Sequence, residues 1–398
     1  MYVNVAVLKE TQPHERRVAL VPSVAEKLIK LGGKLHMEAG AGAAIKLADA
    51  AFKDVSILTD RHQLVADADV VLSVQPPPAD VVGAMKEGAI LVSFIYAEKE
   101  PALVKLLLEK KITCFAMERI PRITRAQSMD ALSSQAALAG YDAVLLGGTQ
   151  LGRVLPKMTT AAGTVGPAKV LVMGLGVAGL EALATAHRLG AVVEGYDVRP
   201  DTAEQAQSLG ATFVDTGVDA RGEGGYAREL SAEEKTKVAS VLTKHIQAAD
   251  LIITTAAIPG RPSPKLISKA QVAGMKSGAV IVDLSAEGGG NCEDTRPGET
   301  TQVGGATILA PLNVASLLGE DASELYSRNQ YSLLALMMKD NIVTIDWKDE
   351  ILAKTVLTFA GELKTHDAKK DAEPVAEPKK PGGRAHHGGA ASPGGRAP

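Results

Sequence analysis

The chain has 398 residues and a formal net charge of -3; 46% of it is hydrophobic and only 3% aromatic. That length allows about two domains with real cores, and an Ala/Val/Leu/Gly-rich balance suits an α/β protein. The near-neutral charge, without a basic stripe carrying aromatics, excludes a nucleic-acid footprint; no secretory signal opens the chain, and no apolar run approaches the ~20 residues that span a bilayer.

From Tyr2 to about Ile120 the pattern alternates strands and helices. Val3–Leu8 reads as a strand. Pro22 opens a helix in which Ser23 and Glu26 have the spacing of a capping box, with Val24, Ala25, Leu28, Ile29 and Leu31 on one face and Gly32-Gly33 as its stop. Further strands are expected at Val70–Val74, Ile90–Phe94 and Thr113–Met117, with a helix at Pro101–Glu109.

Arg119–Gln135 reads RIPRITRAQSMDALSSQ, dense in polar groups for a segment that follows an apolar strand. Gln127, Asp130 and Ser133 recur every third residue, a spacing that shares one side of a helical turn. With Arg122 and Arg125 upstream, the cluster offers donors and acceptors for a carboxamide and a ribose, an arginine being free to neutralise phosphate or pair with Asp130. Equally, Asp130 or Ser133 could simply cap the long helix expected from near Leu132 to Leu146.

Lys169–Arg199 is the most informative stretch. An apolar run enters Gly174-Leu175-Gly176-Val177-Ala178-Gly179, a helical pattern follows, and a second apolar run ends in Asp197. Gly174 permits a tight turn, Gly176 leaves room for a pyrophosphate, and Gly179 lets helix and strand pack closely; the diphosphate would lie on the free N–H groups at the helix start, including those of Val177 and Ala178. Asp197 falls at the ~20-residue spacing of an acid that accepts from adenine-ribose hydroxyls. Its carboxylate would repel a 2′-phosphate, which favours NAD(H) over NADP(H), although Arg199 stands close by. Val198 beside it, and Thr255 and Ala256 at the end of the strand Leu251–Thr255, complete the expected dinucleotide contacts.

Beyond Asp197 the pattern predicts a helix at Asp201–Leu209, a polar loop at Val218–Leu230, a helix at Ala232–Ala249 and a strand at Ala279–Leu284. In the loop, three glycines surround Tyr226, as in a lid or a plain solvent loop. A helical segment around Asp321–Met338 could return the chain to its first half. The expected fold is therefore α/β, with two Rossmann-like doubly wound domains separated by a cleft: residues 1–134 with 317–365, a discontinuous unit, and residues 135–316. Residues 366–398, rich in Gly, Pro and Ala, read as a disordered tail in which His386 and His387 are solvated. Cys114 and Cys292 read as inert core thiols, and no spacing suggests a metal site.

These motifs resemble the proton-translocating nicotinamide nucleotide transhydrogenase family, in its soluble NAD(H)-binding alpha-1 component (domain I). KETQPHERRVALVP at Lys9–Pro22, PRITRAQSMDALSSQAALAGY at Pro121–Tyr141, TAAGTVGPAKVLVMGLGVAGL at Thr160–Leu180, YDVR at Tyr196–Arg199, GGYA at Gly224–Ala227 and VDLSAEGGGN at Val282–Asn291 carry the likeness over about residues 1–360. The first motif is shared with alanine dehydrogenase. The resemblance implies that Arg122, Asp130 and Ser133 bond the carboxamide or ribose of the nicotinamide half. It also implies that Gln127 contacts the ribose and faces a partner, that Asp197 binds the adenine ribose, and that Tyr226 belongs to a mobile closing loop. It implies an enzyme of the Si/Re-specific type, active only with partners: NAD(H) on this chain, NADP(H) on a beta subunit, a membrane-spanning subunit for the protons, a homodimer, and a peripheral location on the cytoplasmic face of the inner membrane.

Alanine dehydrogenases need proton transfer at the amino-bearing carbon, hence a Lys or His in the cleft and an Arg for the carboxylate. Arg17 could be that Arg. Gln75 and Tyr96 stand where the family resemblance would put the Lys and His, and Glu287 where it would put an Asp. Gln cannot exchange a proton at neutral pH, and an unshifted Tyr does so poorly. Direct hydride transfer between two nicotinamides needs no such pair. An alanine dehydrogenase-like amino-acid dehydrogenase and a non-catalytic NAD(H)-sensing module remain the competing readings.

Overall fold

The computed structural model describes residues 2–219, 228–258 and 261–364. Val70–Leu72, Ile90–Ser93 and Thr113–Ala116 are buried at every position, the pattern of parallel strands covered on both faces. They belong to an eight-stranded sheet in the order Glu362–Leu363, Val356–Phe359, Thr113–Ala116, Ile90–Ser93, Val70–Leu72, Val3–Val7, Gly33–Glu38, Ser56–Leu58. The Val356–Phe359 strand runs antiparallel to Thr113–Ala116, so this sheet draws on both ends of the chain.

A seven-stranded sheet follows the order Thr212–Phe213, Val192–Tyr196, Lys169–Met173, Leu251–Thr254, Val280–Asp283, Ala306–Leu309, Thr300–Val303. In each sheet the earliest strand sits inside and later strands add on either side of it. The order therefore reverses between Val3–Val7 and Val70–Leu72, and again between Lys169–Met173 and Leu251–Thr254. Open α/β sheets bind ligands outside the carboxyl ends of their strands at such reversals.

The helix Ala131–Gln150 links the two sheets and extends past the expected end at Leu146. Three glycines lie inside it, Gly140, Gly147 and Gly148, and two of them, Gly140 and Gly147, each cost about 1 kcal/mol in propensity for a packing reason. They are explained by close approach: a Cβ on Gly140 would strike the Ala178 carbonyl, and one on Gly147 the Leu251 and Val282 side chains. The helix Val177–Arg188 is thereby held against it, with Ala143, Val144, Leu183, Val170 and Val282 in one core. The described residues, from 2 to 364, pack as one compact unit.

Two local expectations are corrected. The helix Pro22–Lys30 has Val21 as its N-cap, with no side-chain cap. Pro22 takes the first helical position, which carries Ser23 inside, and the Ser23 hydroxyl donates to Glu324 instead. The returning helix spans Gly319–Leu334, and Met338 belongs to a short hairpin, Met338–Lys339 with Ile342–Val343. Another hairpin, Met158–Thr160 with Gly163–Val165, has no apolar alternation to announce it; every residue of its strands is exposed. Tyr226 and the 366–398 tail lie outside the described residues.

Candidate cofactor site

Strand Lys169–Met173 delivers Gly174 to the reversal point of the second sheet. Gly174 has φ +96° and donates its N–H to the Tyr196 carbonyl at 2.8 Å. Its own carbonyl accepts from Thr255 Oγ1 at 2.8 Å. A side chain there would need φ > 0 and would come within 2.9 Å of the Ala256 nitrogen. A Cβ on Gly179 would run into the Gly174 carbonyl, whereas one on Gly176 meets no atom within 4 Å. The fingerprint glycines thus serve as turn, close approach and opening. Gly176 and Val177 are exposed at the start of the twelve-residue helix Val177–Arg188, whose first N–H groups lack intrahelical acceptors. The residues present therefore fit a diphosphate.

Asp197, just past strand Val192–Tyr196, is fully engaged. Its Oδ2 accepts from the Leu175 N–H (2.7 Å) and Arg199 Nη2 (2.9 Å), its Oδ1 from the Arg199 N–H and Nε (both 2.9 Å). These four donors fill the lone-pair directions of the carboxylate. A ribose diol would bond Asp197 only by replacing the Arg199 fork. Val198 packs half-buried beside the core of the second sheet.

The opposite wall is set by a group that sequence reasoning missed. Asn291 is fully buried; its Oδ1 accepts from the Ala256 N–H at 3.0 Å, and its Nδ2 donates to the Ala256 and Pro264 carbonyls at 2.8 Å. Asp283, also fully buried, organises that loop by accepting from Ser285 N, Asn291 N, Cys292 N and Thr295 Oγ1. The VDLSAEGGGN stretch does carry a signal, an acid at a strand end before consecutive glycines, but the sequence alone attaches no role to it. Cys292 and Cys114 are buried and free; burial pushes the Cys292 thiol up to about 11 and raises Cys114 as well.

The polar segment winds as a 3-10 helix over Thr124–Met129. Arg122 and Gln127 are exposed. Asp130 caps the long helix, accepting from Ser133 N at 2.9 Å and Ser133 Oγ at 2.6 Å. Arg125 does not pair with Asp130: its guanidinium forks onto Asp349 at 2.7 and 2.8 Å. Ser133 and Gly140 stand on the same helix, about 10 Å apart along its axis at 1.5 Å per residue. One rigid element thus carries the polar segment at its start and abuts the glycine turn two turns later.

Beside this lies the cleft that an amino-acid dehydrogenase would use. Arg17 is buried, and Glu15 takes its Nε and Nη2 at 2.8 and 2.6 Å. Its Nη1 donates to Gln135 and its Nη2 also to Asn313. Burial alone would raise the Glu15 carboxyl, but the hydrogen bonds and charge of Arg17, with Gln75 and Asn313, outweigh it and hold it at about 2. Burial, reinforced by Glu118, keeps the Tyr96 phenol above its usual range and therefore neutral. The cavity beside Gln75 measures about 10 Å³, room for roughly one water. Four of the five Arg17 N–H donors are engaged within the protein, and Gln75 and Tyr96 cannot exchange protons at neutral pH.

The models "Alanine dehydrogenase/PNT, N-terminal domain" and "Alanine dehydrogenase/PNT, C-terminal domain" match residues 6–139 and 143–366. The chain belongs to the alanine dehydrogenase/PNT family. Within it, the chain is 43% identical over 374 residues to the first part of NAD(P) transhydrogenase subunit alpha of Rhodospirillum rubrum, covering 91% of this chain and 97% of that one. It is 31% identical over 300 residues to alanine dehydrogenase of Mycobacterium tuberculosis, covering 74% and 76%. The solved transhydrogenase from Sinorhizobium meliloti superposes with a TM-score of 0.82 at 41% identity, covering 90% of this chain and 99% of that one. The two-domain Rossmann-like fold class expected from the sequence is the fold of this family, and the likeness to transhydrogenase alpha subunits exceeds that to alanine dehydrogenase.

Proposed function

We propose that this chain is the NAD(H)-binding component of a transhydrogenase. In this reading NADH binds at the reversal point of the second sheet and hydride passes directly to NADP+ on a partner subunit. One observation carries the reading: an open glycine turn lies beside a cleft whose buried guanidinium, Arg17, is spent on Glu15. The diphosphate would lie over Gly174, Gly176 and the N–H groups of Val177, Ala178 and Gly179. Asp197 would hold the adenine ribose, flanked by Val198 and Arg199, with Thr255 and Ala256 opposite. Arg122, Gln127, Asp130 and Ser133 would take the nicotinamide end, and Tyr226 would close over it. The bound dinucleotide supplies a transferable hydride at its ring. This chain's residues orient that ring and exclude water, and they move no proton.

The reading extends to assembly. Residues 1–134 with 317–365 would form one domain and 135–316 the other. Among the described residues no helix is long and apolar enough to cross a membrane. In this reading the chain is a peripheral component on the cytoplasmic face of the inner membrane, and proton translocation belongs to a separate membrane-spanning subunit. The hairpin Met158–Thr160 with Gly163–Val165 exposes Met158 and Val165 at 43% and 51%. A lone two-stranded ribbon is marginally stable and its edges invite pairing, which supports a homodimer.

The direct test mixes the chain with an NADP(H)-binding partner and follows reduction of an NAD+ analogue by NADPH. Turnover of pyruvate and ammonia with NADH by the chain alone would replace this reading with an amino-acid dehydrogenase. NADH binding without any hydride exchange would leave a sensing module.

A further inference from the structure

The segment read as the nicotinamide contact is tied down at both ends, and one tie comes from the C-terminal side of the chain. Thr124–Met129 is a six-residue 3-10 helix, longer than the three or four residues usual for that geometry. Positions i and i+3 eclipse in such a helix, and here Ala126 and Met129 are the buried pair. Gln127, between them, is exposed. After Gln127, Asn329 Nδ2 donates to the Ser128 carbonyl at 2.9 Å. Before it, Arg125 makes its two-bond fork to Asp349.

Asp349 is itself fixed. The Oδ1 that receives Arg125 Nη2 also accepts from the Ile351 N–H at 2.8 Å, capping the helix Glu350–Thr355. That helix runs directly into the strand Val356–Phe359, paired with Thr113–Ala116 of the first sheet. The anchor is therefore continuous with the sheet rather than a free surface side chain. A planar fork fixes the direction of the guanidinium as well as its distance, which a single ammonium contact does not. Half of the Arg125 side chain is exposed, so the pair adds little to global stability. Its consequence is geometric.

We propose that Asp349, acting through Arg125, is a positioning residue that sets the orientation of Gln127. The proposal rests on reading Thr124–Ser133 as the nicotinamide contact. Without the fork, the first turn of the segment frays while Ala126, Met129 and the Asp130 cap stay in place. Gln127 then samples several orientations, and ring alignment suffers more than dinucleotide binding.

The test uses the full chain carrying Asp349→Asn, Arg125→Lys, or both. Asn caps a helix as well as Asp, so Glu350–Thr355 is retained while the charge-assisted fork is lost. The first readout is amide hydrogen exchange without nucleotide or partner: residues 124–129 should exchange about fivefold faster in each variant, with 350–355 unchanged. The second is hydride transfer with the NADP(H)-binding partner. There kcat should fall about tenfold with the NADH KM within about twofold, and the double variant should be no worse than either single one. Unchanged exchange at 124–129 overturns the proposal. So does a loss confined to KM, or additive losses in the double variant. A parent chain that transfers no hydride at all would instead overturn the functional reading, and the exchange experiment would still judge the anchor.

Discussion

Asn291 clasps Ala256 as a neighbouring strand would, accepting from its N–H at 3.0 Å and donating to its carbonyl at 2.8 Å. Ala256 in turn borders the space a side chain on Gly174 would need. The amide of one buried residue therefore fixes the wall opposite the glycine turn. Asn291→Ala should destabilise the fold by about 1–3 kcal/mol, because the half-buried Ala256 N–H and the Ala256 and Pro264 carbonyls lose their partner. It should also weaken NADH binding in the fraction that stays folded. Urea unfolding and an NADH fluorescence titration on the same preparation check both.

Asp197→Ala should weaken NADH binding by roughly 1.5–3 kcal/mol, about 10- to 150-fold, from the loss of charge-assisted hydrogen bonds to the ribose. The same change removes the carboxylate that would repel a 2′-phosphate, so the preference for NADH over NADPH should narrow. Parallel titrations with the two nucleotides measure it; unchanged NADH affinity would remove the ribose assignment.

Gln127→Asn should slow hydride transfer with little loss of NADH affinity. Gln127 is exposed, so shortening it by one methylene should change stability by less than about 0.5 kcal/mol. The shorter amide no longer reaches as far toward a partner's ring. Steady-state rates with the NADP(H)-binding partner, set against NADH binding to the chain alone, separate the two effects. Equal losses in both would show that Gln127 binds rather than aligns.

The glycine turn was legible because its logic is local: strand, Gly174, helix, strand and Asp197 lie within one continuous stretch. The ties that orient the site were not legible. Arg125 and Asp349 are 224 residues apart, and Ala256 and Asn291 are 35 apart. Nothing in RITRAQSMD says which acid Arg125 will meet, and Asp130, the nearer choice, is already occupied by Ser133 and the helix it caps. At Ser23 a local rule misled, since Pro22 takes the first helical position, which moves the N-cap two residues back to Val21, and Glu324 captures the hydroxyl. The strand Gly33–Glu38 was missed because Lys34 and His36 break its apolar run. Pairing with Val3–Val7 on one side and Ser56–Leu58 on the other makes it a strand.

Glu10 gives the chain a distinctive pH response. Its carboxylate accepts from Val74 N at 2.6 Å and Gln75 N at 3.2 Å. Burial nevertheless pushes the group from 4.5 up to about 8, with Glu15 nearby adding to the rise. The folded chain therefore holds a proton that the unfolded chain releases above about pH 4.5. Its contribution to stability is complete below that pH and is lost as the pH climbs through about 8, at about 1.4 kcal/mol for each unit of displacement. Glu15 acts oppositely: held at about 2, it contributes stability above pH 4.5 that is lost only as the pH falls through 2. Glu10→Gln keeps an acceptor for the Val74 N–H and carries no charge. Between pH 6 and pH 9 the parent should therefore lose more stability than this variant. Urea midpoints of both across that range check it, and parallel curves would mean that Glu10 is ionised throughout.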